Sequence, residues 1–103
     1  MKKLDKETAW LLACILAALE TPEEALAFLE DLCTPKECWM LPQRVNVAKL
    51  LMEERSYSKI IKTLSNERRT VSTGTCNAVN TMLAKSNGSL VTMIRRVTEG
   101  DGI

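Results

Sequence analysis

The chain has 103 residues, the size of one domain, and 46% of them are hydrophobic while 4% are aromatic, so we expect an aliphatic core. Glycine (4) and proline (3) are scarce, which argues against the frequent turns of a β-fold and favours an all-helical one. The net charge of +1 does not by itself indicate a nucleic-acid partner.

The distribution of charge along the chain is more informative than the total. Residues 1–40 carry four Lys/Arg and eight Asp/Glu, a net charge of −4. Residues 41–103 carry ten Lys/Arg and five Asp/Glu, a net charge of +5. This segregation favours a phosphate-facing C-terminal part, with a chance asymmetry of a solvated surface as the alternative.

Composition also excludes several classes of protein. The longest uncharged apolar stretch, Thr8 to Leu19, is shorter than the roughly 20 residues of a membrane span. We expect no signal peptide, since charge returns at Asp5-Lys6-Glu7 directly after Met1-Lys2-Lys3-Leu4, and therefore a cytoplasmic protein with free thiols. Without histidine, paired CxxC spacing or a glycine-rich phosphate loop, the sequence predicts no metal site, no catalytic residues and no enzyme. The thiols in question are Cys14, Cys33, Cys38 and Cys76.

The first predicted helix runs from about Lys6 to Leu19 and is apolar on every side. A helix with no polar face has to be covered all round. A chain of this size offers little cover, so a second subunit is expected to supply it.

Two capping boxes predict the starts of the next two helices. Thr21-Pro22-Glu23-Glu24 predicts a helix from Pro22 to about Cys33, and Thr34-Pro35-Lys36-Glu37 predicts one from Pro35. Because proline removes a helical hydrogen bond, Pro42 predicts a break near Leu41, followed by a separate helix to about Glu54.

The C-terminal part predicts three further helices. Ser56 is expected to cap a short helix that ends near Leu64, and a polar turn at Ser65–Arg69 leads to a helix from about Ser72 to Leu83. Ser86-Asn87-Gly88 predicts the end of that helix, and Ser89 is expected to cap the last one. A short helix, a turn and a second helix form the helix-turn-helix outline, here over about residues 56–84.

The second helix of this outline has a polar outer face without charge. Small hydroxyl and amide side chains can hydrogen-bond to base edges, whereas an ordinary solvated face more often carries Glu and Lys. The predicted DNA-binding residues are Ser72, Thr73, Thr75, Asn77, Asn80 and Thr81, with Arg68, Arg69 and Lys85 as phosphate contacts. Asn77 and Asn80 are the preferred base contacts; alternatively, Asn77 faces the first helix of the motif.

Four segments resemble a known family. They read FLEDLCT from Phe28, QRVNVAKLL from Gln43, SYSKI from Ser56 and VSTGTCNAV from Val71. The chain is similar over about residues 22–97 to the Trp-repressor-related family of the YerC/YecD type, within the TrpR-like helix-turn-helix superfamily.

The resemblance implies an all-α, Trp-repressor-like fold of about six helices, one domain over 1–103 and an intertwined homodimer. It also implies a bacterial-type, sequence-specific transcriptional regulator of double-stranded DNA, with repression as the expected mode. The alternative is a helical dimeric interaction module or ligand sensor that keeps the fold without specific DNA binding.

The chain departs from the family pattern around its recognition helix. It is about five residues longer near Ser65–Arg69, and Asn77-Ala78 stand where the family has Ser-Arg. A second, ungapped alignment instead pairs Thr70-Val71-Ser72 with the family's TIS. The two alignments differ in which side chains face DNA.

The resemblance does not extend to tryptophan as a co-repressor. Arg44 stands where one of the family's two ligand-binding arginines is expected and marks a possible effector site. The second would fall at Thr73 in the ungapped alignment, and the gapped one supplies no arginine either. Since a buried carboxylate needs a charge-assisted partner, we expect no tryptophan cofactor.

Overall fold

The computed structural model describes residues 4–85 and 88–99, and this part of the chain forms six α-helices and no strand. The all-helical class and the number of about six helices implied by the resemblance are confirmed. In chain order the helices are α1 (Lys6–Ala18), α2 (Pro22–Leu32), α3 (Pro35–Met52), α4 (Tyr57–Leu64), α5 (Thr73–Lys85) and α6 (Ser89–Glu99).

Local capping chemistry sets the predicted starts of α2 and α3. The Thr21 hydroxyl oxygen accepts the Glu24 backbone N–H at 3.1 Å. At Thr34 the bonds are reciprocal, because its hydroxyl oxygen accepts the Glu37 N–H at 3.2 Å and the Glu37 carboxylate accepts the Thr34 N–H at 2.9 Å. Both predicted helix starts are confirmed, as is the cap of α4 at Ser56. The box at Thr21 differs in one bond, because the Glu24 carboxylate accepts the N–H of Glu20 at 3.0 Å.

The predicted break near Leu41 is wrong, because α3 continues through Pro42 to Met52. Proline removes one N–H and its φ is already helical, so the loss is confined to one turn. Val47 and Ala48, one turn further on, are fully buried and hold the rest of α3 in place.

The end of α3 also differs from the expected one. Glu54 lies beyond the helix with φ 61°, and the N–H groups of Glu54 and Arg55 bond to the carbonyls of Leu51 at 2.9 Å and Leu50 at 3.1 Å. This is a Schellman-type ending, in which glycine is the usual left-handed residue.

The expected cap of α6 is shifted by one position. Ser89 is the first residue of α6, and the Thr92 N–H bonds to the carbonyl of Gly88 at 2.7 Å. Gly88, with φ 94°, therefore precedes the helix as its cap. Ser86 and Asn87 of the predicted breaker lie outside the described residues.

The chain divides into two compact units, residues 1–38 and residues 39–103, which we call unit 1 and unit 2. None of the described residues of unit 1 is buried. Its apolar side chains include Trp10, Leu11 and Leu26, which are 68%, 71% and 63% exposed.

Unit 2 has a core of its own. Seven hydrophobic residues are buried there, contributed by α3 to α6 and by the connection between α4 and α5. They are Val47, Ala48, Ile60, Val71, Cys76, Val79 and Ile94. This core packs α4 and α5 against α3, and so positions the predicted helix-turn-helix.

The four cysteines are free thiols. Among the described residues no cluster of three or more His, Cys, Asp or Glu side chains is arranged to hold a metal ion. No helix in this described part is long and apolar enough to cross a membrane.

Candidate nucleic-acid interface

Helices α4 and α5 form a packed pair. The Ser56 hydroxyl oxygen accepts the Lys59 N–H at 3.2 Å and starts α4, which buries Ile60. From α5, Cys76 and Val79 are buried in the same core, so the opposite side of α5 faces solvent. The two helices are joined by the eight residues 65–72.

Ser72, a predicted DNA-binding residue, caps α5. Its hydroxyl oxygen accepts the Thr75 N–H at 3.1 Å and lies 3.2 Å from the Thr75 hydroxyl oxygen. Its carbonyl accepts the Cys76 N–H at 3.2 Å. Ser72 and the half-buried Thr75 therefore hold each other at the start of the helix.

The exposed side of α5 brings three predicted residues together. Thr73, Asn77 and Asn80 are exposed and follow one another at spacings of four and three, which places them on one side of a helix. Within the described part of the chain, the side chains of Thr73 and Asn80 have no hydrogen-bond partner. They are free to bind a ligand such as a base edge.

Asn77 and Thr81 are partly engaged within the protein. The Tyr57 hydroxyl on α4 donates to the Asn77 side-chain oxygen at 3.5 Å, and the Thr81 hydroxyl donates to the Asn77 carbonyl at 3.0 Å. Both residues are nevertheless exposed. The Asn77 side-chain nitrogen and the Thr81 oxygen lone pairs are left for other partners.

The segment that contains α4, the connection and α5 is basic. Residues 56–85 carry five Lys/Arg and one Asp/Glu, a net charge of +4. Lys59, Lys62 and Arg68 are exposed, and none of them forms an ion pair with another described residue. Lys85 ends α5, and its side chain lies outside the described part.

The basic residues just before this segment are paired instead. Lys49 and Arg55 lie 2.7 Å and 3.6 Å from the carboxylate of Glu53. The hydrogen bond from Lys49 lowers the pKa of Glu53 below its ordinary value. The single carboxylate offsets one of these two positive charges, whereas the basic residues of α4 have no such partner among the described residues.

Sequence reasoning missed Lys59 and Lys62 of α4. Both are exposed on the helix that buries Ile60 and are three residues apart. The signal that could have identified them is their position on α4 opposite its apolar residues.

Arg69 contacts α3. Its guanidinium carbon lies 5.2 Å from the centroid of the Trp39 ring, a cation–π distance. The two residues are thirty positions apart, and no local pattern in the sequence joins them.

Arg44, the predicted effector residue, lines a cavity of about 330 Å³ between α3 and the start of α5. Trp39, Gln43, Thr70 and Val71 also line it. The side-chain oxygen of Gln43 is buried and has no hydrogen-bond partner among the described residues. A buried acceptor without a donor is costly, so this oxygen has an unmet hydrogen-bond requirement beside the cavity.

Comparison with known proteins places these features in a family context. Residues 7–98 match the family model described as Trp repressor protein. The chain is 37% identical over 95 residues to the uncharacterized protein YerC of Bacillus subtilis (strain 168), covering 91% of this chain and 85% of that protein. No solved structure matches the chain. The two sequence matches confirm the resemblance inferred from the four motifs.

Proposed function

The chain belongs to the Trp repressor family, a family of transcription regulators rather than enzymes, and we propose that it binds double-stranded DNA as a homodimeric transcriptional repressor. The observation that carries this proposal is the exposed side of α5. There Thr73, Asn77 and Asn80 present hydroxyl and amide groups without charge. Asparagine can pair both its donor and its acceptor with adenine in the major groove. The proposed role belongs to the cytoplasm, where the chain would meet its DNA.

The unpaired basic residues supply the sequence-independent part of the proposed binding. Lys59, Lys62 and Arg68 can each neutralise a phosphate, and each contact contributes about −0.9 to the slope of log affinity against log salt. Lys85, the last residue of α5, is the fourth proposed phosphate contact.

The homodimer is part of the proposal because unit 1 exposes a large apolar surface. Trp10, Leu11 and Leu26 are more than half exposed in the single chain. A second copy would cover them and would present a second α5. Two such helices lie about 34 Å apart in dimeric helix-turn-helix proteins, which predicts a near-palindromic site.

The proposal is tested by selecting bound duplexes from a random pool with the pure protein. We expect enrichment of a near-palindrome. Asn77→Ala and Asn80→Ala should each relax preference at one symmetric pair of positions, with about 1–3 kcal/mol of discrimination lost. Asn46→Ala, which removes another exposed asparagine on α3, is the matched control and should select the parent site.

Two results would overturn the proposal. If no duplex is enriched while the protein remains a folded dimer, the chain is a helical interaction module. If a site is enriched but both α5 variants select it as stringently as the parent, the base-reading surface lies elsewhere.

The cavity beside Arg44 supports a second candidate function, the sensing of a small anionic ligand. Arg44 would bind the anion, and the unpaired oxygen of Gln43 would accept a hydrogen bond from a donor on the same ligand. A thermal-shift panel of free amino acids and small carboxylic acids tests this. Stabilisation by a panel member that is lost in Arg44→Met would support it, and no shift with any member would remove it.

A further inference from the structure

The connection between α4 and α5 is long for a helix-turn-helix. It spans residues 65–72, whereas such turns usually have three or four residues. A longer connection leaves the second helix more freedom relative to the first. If α5 is to read DNA, something other than a short turn has to fix its start.

Hydrogen bonds close this connection on itself. The side-chain oxygen of Asn66 accepts the N–H groups of Arg68 at 2.9 Å and Arg69 at 3.0 Å, and the Asn66 N–H donates to the Arg69 carbonyl at 2.8 Å. The Ser65 hydroxyl oxygen accepts the Val71 N–H at 2.9 Å. The backbone at Arg69 is therefore held from both sides.

The closed connection carries the Arg69 side chain onto α3. The guanidinium lies over the Trp39 ring, and Trp39 itself packs against the core of unit 2. Val71, two residues after Arg69, is buried in that core. Arg69 thus attaches the start of α5 to the helix that carries Val47 and Ala48.

We propose that Arg69 is a positioning residue, which stacks on Trp39 to fix the start of α5 and does not itself contact a phosphate. The inference rests on the proposed DNA binding. The proposal gives Arg69 a different role from its neighbour Arg68, whose exposed side chain has no partner among the described residues and can contact a phosphate. The extra length of the connection is then the means by which arginine reaches tryptophan.

The test is a double-mutant cycle on affinity for the selected duplex, measured at several salt concentrations. An exposed cation–π contact corresponds to about a two- to fivefold effect. We expect Arg69→Ala and Trp39→Leu each to lower affinity by this factor, with no further loss in the double variant. Trp39→Phe keeps an aromatic face and should retain most of the affinity.

The salt slope distinguishes positioning from phosphate contact. Arg69→Ala should leave the slope of the parent unchanged, whereas the matched Arg68→Ala should reduce its magnitude by about 0.9. A reduced slope in Arg69→Ala, or losses that add in the double variant, would overturn the inference. So would an Arg69→Ala affinity equal to that of the parent.

Failure of the proposed function would look different, since the parent itself would then bind no duplex. In that case the parent, Arg69→Ala, Trp39→Leu and the double variant are compared by urea unfolding. If the unfolding equilibrium constants show a two- to fivefold coupling between Arg69 and Trp39, the stacking contact stabilises the connection between α4 and α5 even without DNA binding. Independent, additive effects there would overturn it.

Discussion

The two units of the chain differ in both burial and charge. Unit 2 buries seven hydrophobic residues from four helices and a connection, while no described residue of unit 1 is buried, although its α1 is the most apolar helix of the chain. Unit 1 has four basic and eight acidic residues, a net charge of −4, and unit 2 has ten and five, a net charge of +5.

This difference separates two tasks within a short chain. Unit 2 closes its own core and carries the net positive charge, with unpaired basic residues on α4, on α6 and in the connection between α4 and α5. Unit 1 has apolar surface that its own residues leave uncovered, together with a charge that phosphates would repel. We therefore expect DNA contacts to fall on unit 2 and contacts with a second copy to involve unit 1.

Ile60→Ala is expected to have the largest effect, because it opens the core of unit 2. Ile60 is fully buried among α3, α4 and α5 residues. Loss of its side chain should lower the free energy of unfolding by about 2–5 kcal/mol, as measured by urea unfolding. The exposed neighbour Lys62→Ala should change it by less than about 0.5 kcal/mol. Equal effects of the two variants would show that unit 2 lacks an independent core.

Leu11→Ala tests the other side of the comparison. Leu11 is 71% exposed in the single chain, so its truncation removes little internal packing. If a second copy covers it, association should lose about 1.5–3 kcal/mol, which raises the dimer dissociation constant roughly ten- to hundredfold. Sedimentation equilibrium measures this, with Thr63→Ala on α4 as control. An unchanged dissociation constant would remove Leu11 from the interface.

Glu54→Gly should stabilise the chain without affecting association. A residue with a Cβ in the left-handed conformation, as Glu54 is at φ 61°, is strained by about 1–2 kcal/mol. Glycine relieves this strain but adds flexibility to the unfolded chain, so we expect a net gain of about 1 kcal/mol in thermal or urea unfolding. Glu54→Ala keeps the Cβ and should give no gain. A gain in both variants would point to charge rather than conformation.

The smallest expected effect concerns pH and the start of α1. The Thr8 hydroxyl and the N–H groups of Thr8 and Glu7 donate to the Asp5 carboxylate and hold its pKa below the ordinary value. Because the folded pKa is the lower one, this stabilisation is present above the ordinary value and is lost as pH falls through the folded pKa.

Urea unfolding between pH 6 and about pH 2.5 checks this sign, with the pH range chosen to cross the ordinary aspartate pKa of about 3.9. Asp5→Asn caps without titrating, so the stability difference between parent and variant should shrink as the solution becomes more acidic. Thr8→Val removes the largest cause of the shift and should reduce that pH dependence. A difference that grows on acidification would contradict the assignment.

The parts of the fold that were predictable from sequence depend on neighbouring residues. The starts of α2, α3 and α4 follow from Thr21, Thr34 and Ser56, because a cap and its amide partner lie within three residues. The continuation of α3 through Pro42 was not predictable in this way, since the packing of later α3 residues outweighs one missing hydrogen bond.

The sequence was sufficient to predict which residues of α5 are exposed, but not the contacts between distant residues around the candidate site. Thr73, Asn77 and Asn80 share an exposed side of α5, as helical periodicity requires. The stacking of Arg69 on Trp39 joins residues thirty positions apart, and the unpaired oxygen of Gln43 depends on how α3 meets α5. Such contacts arise from tertiary packing, which no local pattern encodes.

The burial of Cys76 allows opening of the α4–α5 pair to be timed chemically. Its side chain has no exposure, and this burial raises the pKa of the thiol, so the reactive thiolate is both scarce and inaccessible. In a variant that carries Cys14→Ser and Cys33→Ser, an aromatic disulfide reagent should label the exposed Cys38 at once, but it reaches Cys76 only when α5 moves away from the core of unit 2. The slow phase of labelling would then report the population of the open form, and a duplex that binds across the pair would lengthen that phase alone.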